Sequence, residues 1–74
     1  MKVNGYTTTF TLGDVVTPTN TSDRRLMTVC IVQIGKSQTG IVERYTVDWY
    51  DDEYGFQQAV VEPHQIQLYN TMRK

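Results

Sequence analysis

One cysteine, one histidine, one alanine and two prolines occur among the 74 residues, and each scarcity excludes something. A lone cysteine, Cys30, permits no intrachain disulfide and no cysteine-rich metal site. Small secreted domains normally rely on such staples, so an intracellular, cytoplasmic location is expected. The opening Met-Lys-Val-Asn-Gly-Tyr-Thr also lacks the apolar run of a signal peptide. No window approaches the length of a membrane span, so no membrane partner is expected. In that setting the Asn20-Thr21-Ser22 match to a glycosylation acceptor is chance. The only histidine, His64, has no specified second group with which to form a base or a metal site. No glycine-rich phosphate loop and no serine elbow is present. Gly35-Lys36-Ser37 lacks the Walker spacing and joins two expected strands. The sequence therefore reads as a non-enzyme with no catalytic residues, no cofactor and no metal.

Alanine scarcity argues against a helical bundle. The apolar content instead comes from Val, Ile, Thr, Tyr, Phe and Trp, which is β composition. The hydrophobic fraction of 39% and charged fraction of 20% suit a folded domain. At this length the chain is one small domain, 1–74, with about 6–69 expected to be ordered and 70–74 a tail. The net charge of -1 gives no general attraction to phosphate backbones.

Residues 1–5 read as a frayed lead-in ending in the turn pair Asn4-Gly5. Thr7–Leu12 has β propensity, with Phe10 and Leu12 on one face of an extended segment. Gly13-Asp14 breaks it, Val15-Val16 begins a short strand ending before Pro18, and Thr17–Arg25 is a polar loop. Leu26–Ile34 is a long strand, apolar on both faces and hence central in its sheet. Met27, Val29 and Ile31 are expected to face one way, and Thr28, Cys30 and Val32 the other. Gly35–Gly40 reads as a mobile hairpin loop. Ile41–Tyr50 alternates most clearly, with Ile41, Tyr45, Val47 and Trp49 on one face and Arg44, Thr46, Asp48 and Tyr50 opposite. Asp51–Gly55 is a turn and Phe56–Val61 a further strand. Glu62–Gln65 forms one 3₁₀ turn around Pro63, and Ile66 and Leu68 begin a last short strand. This order specifies an all-β fold: a small five-stranded SH3-like barrel with a 3₁₀ turn before the last strand. Closure into a barrel would also remove exposed edges.

Four stretches carry a resemblance: Gly13-Asp14-Val15-Val16, Met27-Thr28-Val29, Val47-Asp48-Trp49-Tyr50-Asp51, and Val61-Glu62-Pro63-His64-Gln65-Ile66. Over Phe10 to Leu68 the chain resembles small uncharacterised bacterial proteins of the YodC type. It departs from them in having Asp23-Arg24-Arg25-Leu26 where they have a Gly-Gly-Pro lead, and in its unusually acidic turn after Trp49. The resemblance implies an SH3-like barrel and no particular activity. Its size suits a bacterial or phage gene alike. Tudor and KOW domains share the Gly-Asp start and the aromatic third strand, and they indicate peptides and nucleic acids as the ligand classes to consider.

Residues 45–55 hold four of the eight aromatics and four of the eight acids. Tyr45, Trp49, Tyr50, Tyr54 and Phe56 could frame a pocket, since aromatic faces take cations, bases or prolines. Tyr45 and Trp49 share a face with Val47 and read as core, which leaves Tyr50 and Tyr54 as surface candidates. Asp48, Asp51, Asp52 and Glu53 lack the spacing of a calcium loop and read as a solvated turn. Cys30, among Val and Ile, reads as a buried, inert thiol. The expected function is a small accessory module recognising a protein or peptide in a groove between the polar loop and the acidic turn. Tyr50, Tyr54, Trp49, Arg24, Arg25 and Asp52 are the expected contacts, and Arg24-Arg25 could instead pair with Asp51-Asp52. One alternative is nucleic-acid binding through Lys2, Arg24, Arg25, Lys36 and Arg44. Another is structural self-association by an open strand edge such as Thr7–Leu12.

Overall fold

The dominant element is a long antiparallel hairpin. In the computed structural model, which describes residues 2–3, 5–19 and 21–69, β-branched and aromatic residues carry two adjacent strands of 11 and 12 residues. Numbered along the chain, the strands are β1 (Lys2–Val3), β2 (Tyr6–Thr7), β3 (Val15–Pro18), β4 (Met27–Ser37), β5 (Gly40–Asp51), β6 (Gly55–Val61) and β7 (Ile66–Leu68). A 3₁₀ turn at Pro63–Gln65 precedes β7. The all-β class and the 3₁₀ turn agree with expectation. β1 and β2 form a separate two-stranded sheet, and the other five strands order as β6-β5-β4-β3-β7, with β4 at the centre.

Several expectations change. The main sheet is open rather than closed into a barrel: β6 and β7 are its two edges, with no ladder between them among the described residues. The expected mobile loop 35–40 is mostly strand, because Lys36 pairs with Ile41 and Ser37 with Gly40, leaving a two-residue connection. The expected lead-in contains a strand, since Lys2 and Val3 pair with Thr7 and Tyr6. Only Tyr6–Thr7 of the region around Thr7–Leu12 is extended in a ladder. Beyond it the chain turns inward, so that Phe10 is buried and Leu12 exposed. Gly13, at φ +89°, lies in the left-handed region that favours glycine and brings the chain onto β4, where its amide donates to the Val29 carbonyl at 2.9 Å. The expected tail at 70–74 and the Asn20 side of the glycosylation match lie outside the described residues.

A β-bulge breaks the expected alternation of β4. The register with β5 shifts between Val29 and Ile31, inserting Cys30 as an extra residue. Met27 and Val29 therefore face the core as expected, but Ile31 is 48% exposed and Val32 packs inward. Cys30 is half-buried rather than buried, and its thiol donates to the Thr46 carbonyl at 3.3 Å. Burial, and then the neighbouring Asp48 carboxylate, push the thiol pKa up, which keeps it protonated and unreactive.

The core is Phe10, Val16, Met27, Val29, Tyr45, Val47 and Ile66. Tyr45 is fully buried, with its ring edge-on to Phe10 at 5.4 Å between centroids. Such a pair adds about 0.5–1.5 kcal/mol beyond area burial. Its hydroxyl accepts the Phe10 amide at 3.1 Å and donates to Glu43 Oε1 at 2.5 Å, while the Thr9 amide donates to the same carboxylate oxygen at 3.2 Å. Burial opposes ionisation of Glu43, but these donors outweigh it and hold its carboxyl below its usual range. Burial, and then the bond to Glu43, push the Tyr45 hydroxyl up.

Two outcomes follow. Because the folded Glu43 pKa is depressed, its contribution to stability is present above the ordinary carboxylate pKa and is lost as pH falls through the folded value. Tyr45→Phe should cost about 1–3 kcal/mol in urea unfolding, since it strands the buried Phe10 amide. It should also flatten this acid limb of the stability curve. The Thr17 hydroxyl is buried without a hydrogen-bond partner among the described residues. Thr17→Val should therefore raise stability by about 1 kcal/mol in the same measurement.

Candidate binding groove

The concave side of the sheet leaves a groove of about 480 Å³ between its two open edges. Met27, Trp49, Ala59, Val61 and Ile66 give it an apolar floor. One wall is the polar loop, through Asp23 and Arg25. The other is Pro18 and Thr19 with His64 and Gln65 of the 3₁₀ turn. This second wall exists because β3 pairs with β7, placing Pro18 opposite Ile66. Thr19 then ties the turn down: its hydroxyl donates to the His64 carbonyl at 2.8 Å and its amide to the Gln65 carbonyl at 3.0 Å. The turn is braced internally by the Glu62 amide, which donates to Gln65 Oε1 at 2.8 Å.

Trp49 is the centre of the groove. Expected in the core, it is instead half-buried: near the end of β5 it packs against the margin of the core and lines the groove. The Arg25 guanidinium lies 4.9 Å from its ring centroid, a cation–π distance. Arg25 Nε also donates to Asp23 Oδ2 at 2.7 Å, and the Arg25 amide donates to Asp23 Oδ1 at 2.9 Å. Arg25 thus pairs with Asp23 rather than with Asp51 or Asp52.

Asp51 organises the adjoining turn. Its Oδ1 accepts the amides of Glu53 at 2.7 Å and Tyr54 at 3.0 Å. Gly55, at φ +82°, closes the turn in the left-handed region. The Tyr54 and Glu53 amides, with a smaller effect from the Arg25 charge, hold the Asp51 carboxyl below its usual range.

The six expected contact residues are therefore divided. Trp49 and Arg25 meet in the groove. Arg24 points elsewhere, its Nη1 donating to the Thr21 carbonyl at 3.3 Å. Tyr50 (72% exposed) is paired beside Phe56 on the convex face, Tyr54 (74% exposed) stands on the turn, and Asp52 is exposed there without lining the groove. The proposed basic residues do not converge either. Lys36 is near the tip of the β4–β5 hairpin, Arg44 is opposite Gln33 in mid-hairpin, and Arg25 precedes the far end. That hairpin is roughly 30 Å long at about 3.3 Å per residue. Asp23, Pro18, His64 and Gln65 were missed as wall residues; the signal for Pro18, His64 and Gln65 lay in the β3–β7 pairing that the strand order implies, whereas Asp23 lies in the loop without such a signal. Among the described residues, no group of three or more His, Cys, Asp or Glu is placed to hold a metal ion, and no helix is long and apolar enough to cross a membrane.

Arg25→Ala should uncover the indole without disturbing the sheet. The expected result is a red-shifted Trp49 emission with a stability loss of only about 0.5–1 kcal/mol, because the pair is solvent-exposed.

Comparison of the chain with protein-family models, with curated proteins and with solved structures finds no match.

Proposed function

We propose that this protein is a non-enzymatic binding module that takes an extended peptide segment of a protein partner in the groove over Trp49. The observation that carries this reading is the groove itself: an apolar floor with hydrogen-bonding walls on both sides, floored by the protein's one tryptophan. A concave apolar surface with a few placed polar groups is the usual form of a recognition site. The floor suits apolar or proline side chains. The Asp23–Arg25 pair and the His64–Gln65 turn supply donors and acceptors along the two walls, where the backbone of an extended segment would run. Most of the groove's polar groups sit on loops or on the 3₁₀ turn, while its apolar residues sit on strands, so the platform is rigid and the rims are adaptable.

The fold is read as SH3-like. The meander of β3 to β6, the 3₁₀ turn, and a final strand returning to pair with β3 support that reading. The scatter of Lys36, Arg44 and Arg25 along the hairpin favours a peptide over a nucleic acid, which needs a continuous basic face.

Trp49 makes the test direct. Peptides selected from a displayed random library against the wild-type protein should shift Trp49 emission on titration. They should lose at least roughly tenfold in affinity against Trp49→Leu and Arg25→Ala, a change of about 1.4 kcal/mol. They should bind Tyr54→Ala normally. Selected peptides that bind Trp49→Leu as tightly as wild type would place recognition elsewhere and end this assignment.

A further inference from the structure

We infer that β6 is a self-pairing edge through which two copies of this chain form a symmetric dimer with a continuous sheet. The two edges of the main sheet are not alike. β7 is three residues long, too short to offer much of a template. β6 is seven residues long and in unbroken register with β5 from Tyr45–Val61 to Asp51–Gly55. No strand among the described residues pairs with its other side. Long exposed edges are usually blunted by lysine, proline, a bulge or an inward charge. The β6 sequence, Gly-Phe-Gln-Gln-Ala-Val-Val, contains no charged residue and no proline, and its register with β5 shows no bulge.

The occupant that suits this edge is a second copy, because the strand is complementary to itself. Antiparallel pairing about a twofold axis at Gln58 sets Phe56 opposite the partner's Val60, Gln57 opposite the partner's Ala59, and Gln58 opposite the partner's Gln58. Paired positions then share the same parity. This matches convex face to convex face and sets outward-pointing backbone groups opposite one another, as a two-strand ladder requires. Phe56 and Val60 are 73% and 60% exposed in one copy. In the dimer each aromatic ring meets a β-branched side chain across the interface, a favourable cross-strand pair, and it does so twice. The two Gln58 amides can exchange hydrogen bonds across the axis. Neither strand brings a charge, so the copies meet without like-charge repulsion along the seam. This interface uses the plane of the sheet and the convex residues Phe56, Gln58 and Val60, and it stands independently of peptide recognition over Trp49.

Analytical ultracentrifugation of the full chain from micromolar to millimolar concentration tests it. The expected result is a reversible monomer–dimer equilibrium. Gln58→Lys sets two like charges across the axis and should weaken the dimer by roughly tenfold or more. Its monomer should keep its thermal transition, because Gln58 is exposed and pairs with Asp48 in its own sheet. In a Cys30→Ser background, Gln58→Cys should give a disulfide-linked dimer on mild oxidation, since residues facing each other across a pair lie about 4.5–5.5 Å apart at Cβ. Tyr54→Cys, on the turn, should not. A chain that stays monomeric throughout, a dimer indifferent to Gln58→Lys, or equal cross-linking of both cysteine variants would overturn the proposal.

Discussion

Tyr45 is the residue on which the rest of the structure depends. It is fully buried in mid-β5, and its hydroxyl reaches past the edge of the core to the segment before β3. A phenol buried among apolar side chains must find hydrogen-bond partners or lose their full value. Here the partners are the Phe10 amide and the Glu43 carboxylate, which also accepts the Thr9 amide. The arrangement folds residues 8–14 over the sheet and places Phe10 against the Tyr45 ring. Without it, an open five-stranded sheet of this size would have little to cover one end of its concave face. Burial first, and then the hydrogen bond to Glu43, raises the Tyr45 pKa, while the Tyr45 hydroxyl and the Thr9 amide lower that of Glu43 against its own burial.

The same economy explains the groove. One end of the concave face is roofed by Phe10, but among the described residues no segment roofs the other, where β5 runs out towards the acidic turn. Trp49 sits there, and an indole too large to leave wholly in water is partly covered by the guanidinium of Arg25. The polar loop is held in position by the Asp23–Arg25 pair and by Thr21, whose hydroxyl accepts the Asp23 amide at 3.2 Å. The opposite wall is held by the Thr19 bonds to the 3₁₀ turn. The exposed ion pair adds little stability by itself, but it determines where the guanidinium stands.

The two faces of the sheet divide the aromatic residues between different environments. Strand alternation sends Tyr45, Val47 and Trp49 to the concave side and Tyr50 to the convex side, beside Phe56. The bulge at Cys30 then adds Ile31 to the convex side. In exchange Val32 turns to the concave side, and the groove contains fewer aromatics than the density around Trp49 suggests.

The sequence alone determined the β class, the central position of β4, the alternation of β5, the core role of Tyr45 and Val47, and the 3₁₀ turn at Pro63. These follow from side-chain propensity, two-residue periodicity and the fixed φ of proline, all of which act locally. Tertiary structure decided the rest. Whether Trp49 was core or rim depended on what lay above it, which is set by how far the residues around Phe10 extend over the sheet. The choice of Asp23 over Asp51 as partner for Arg25 depended on the path of a loop with no periodicity to read. The bulge, the two-residue hairpin connection and the open edges are matters of register. Register is settled by pairing between distant strands, because a one-residue shift exchanges the buried face for the exposed one.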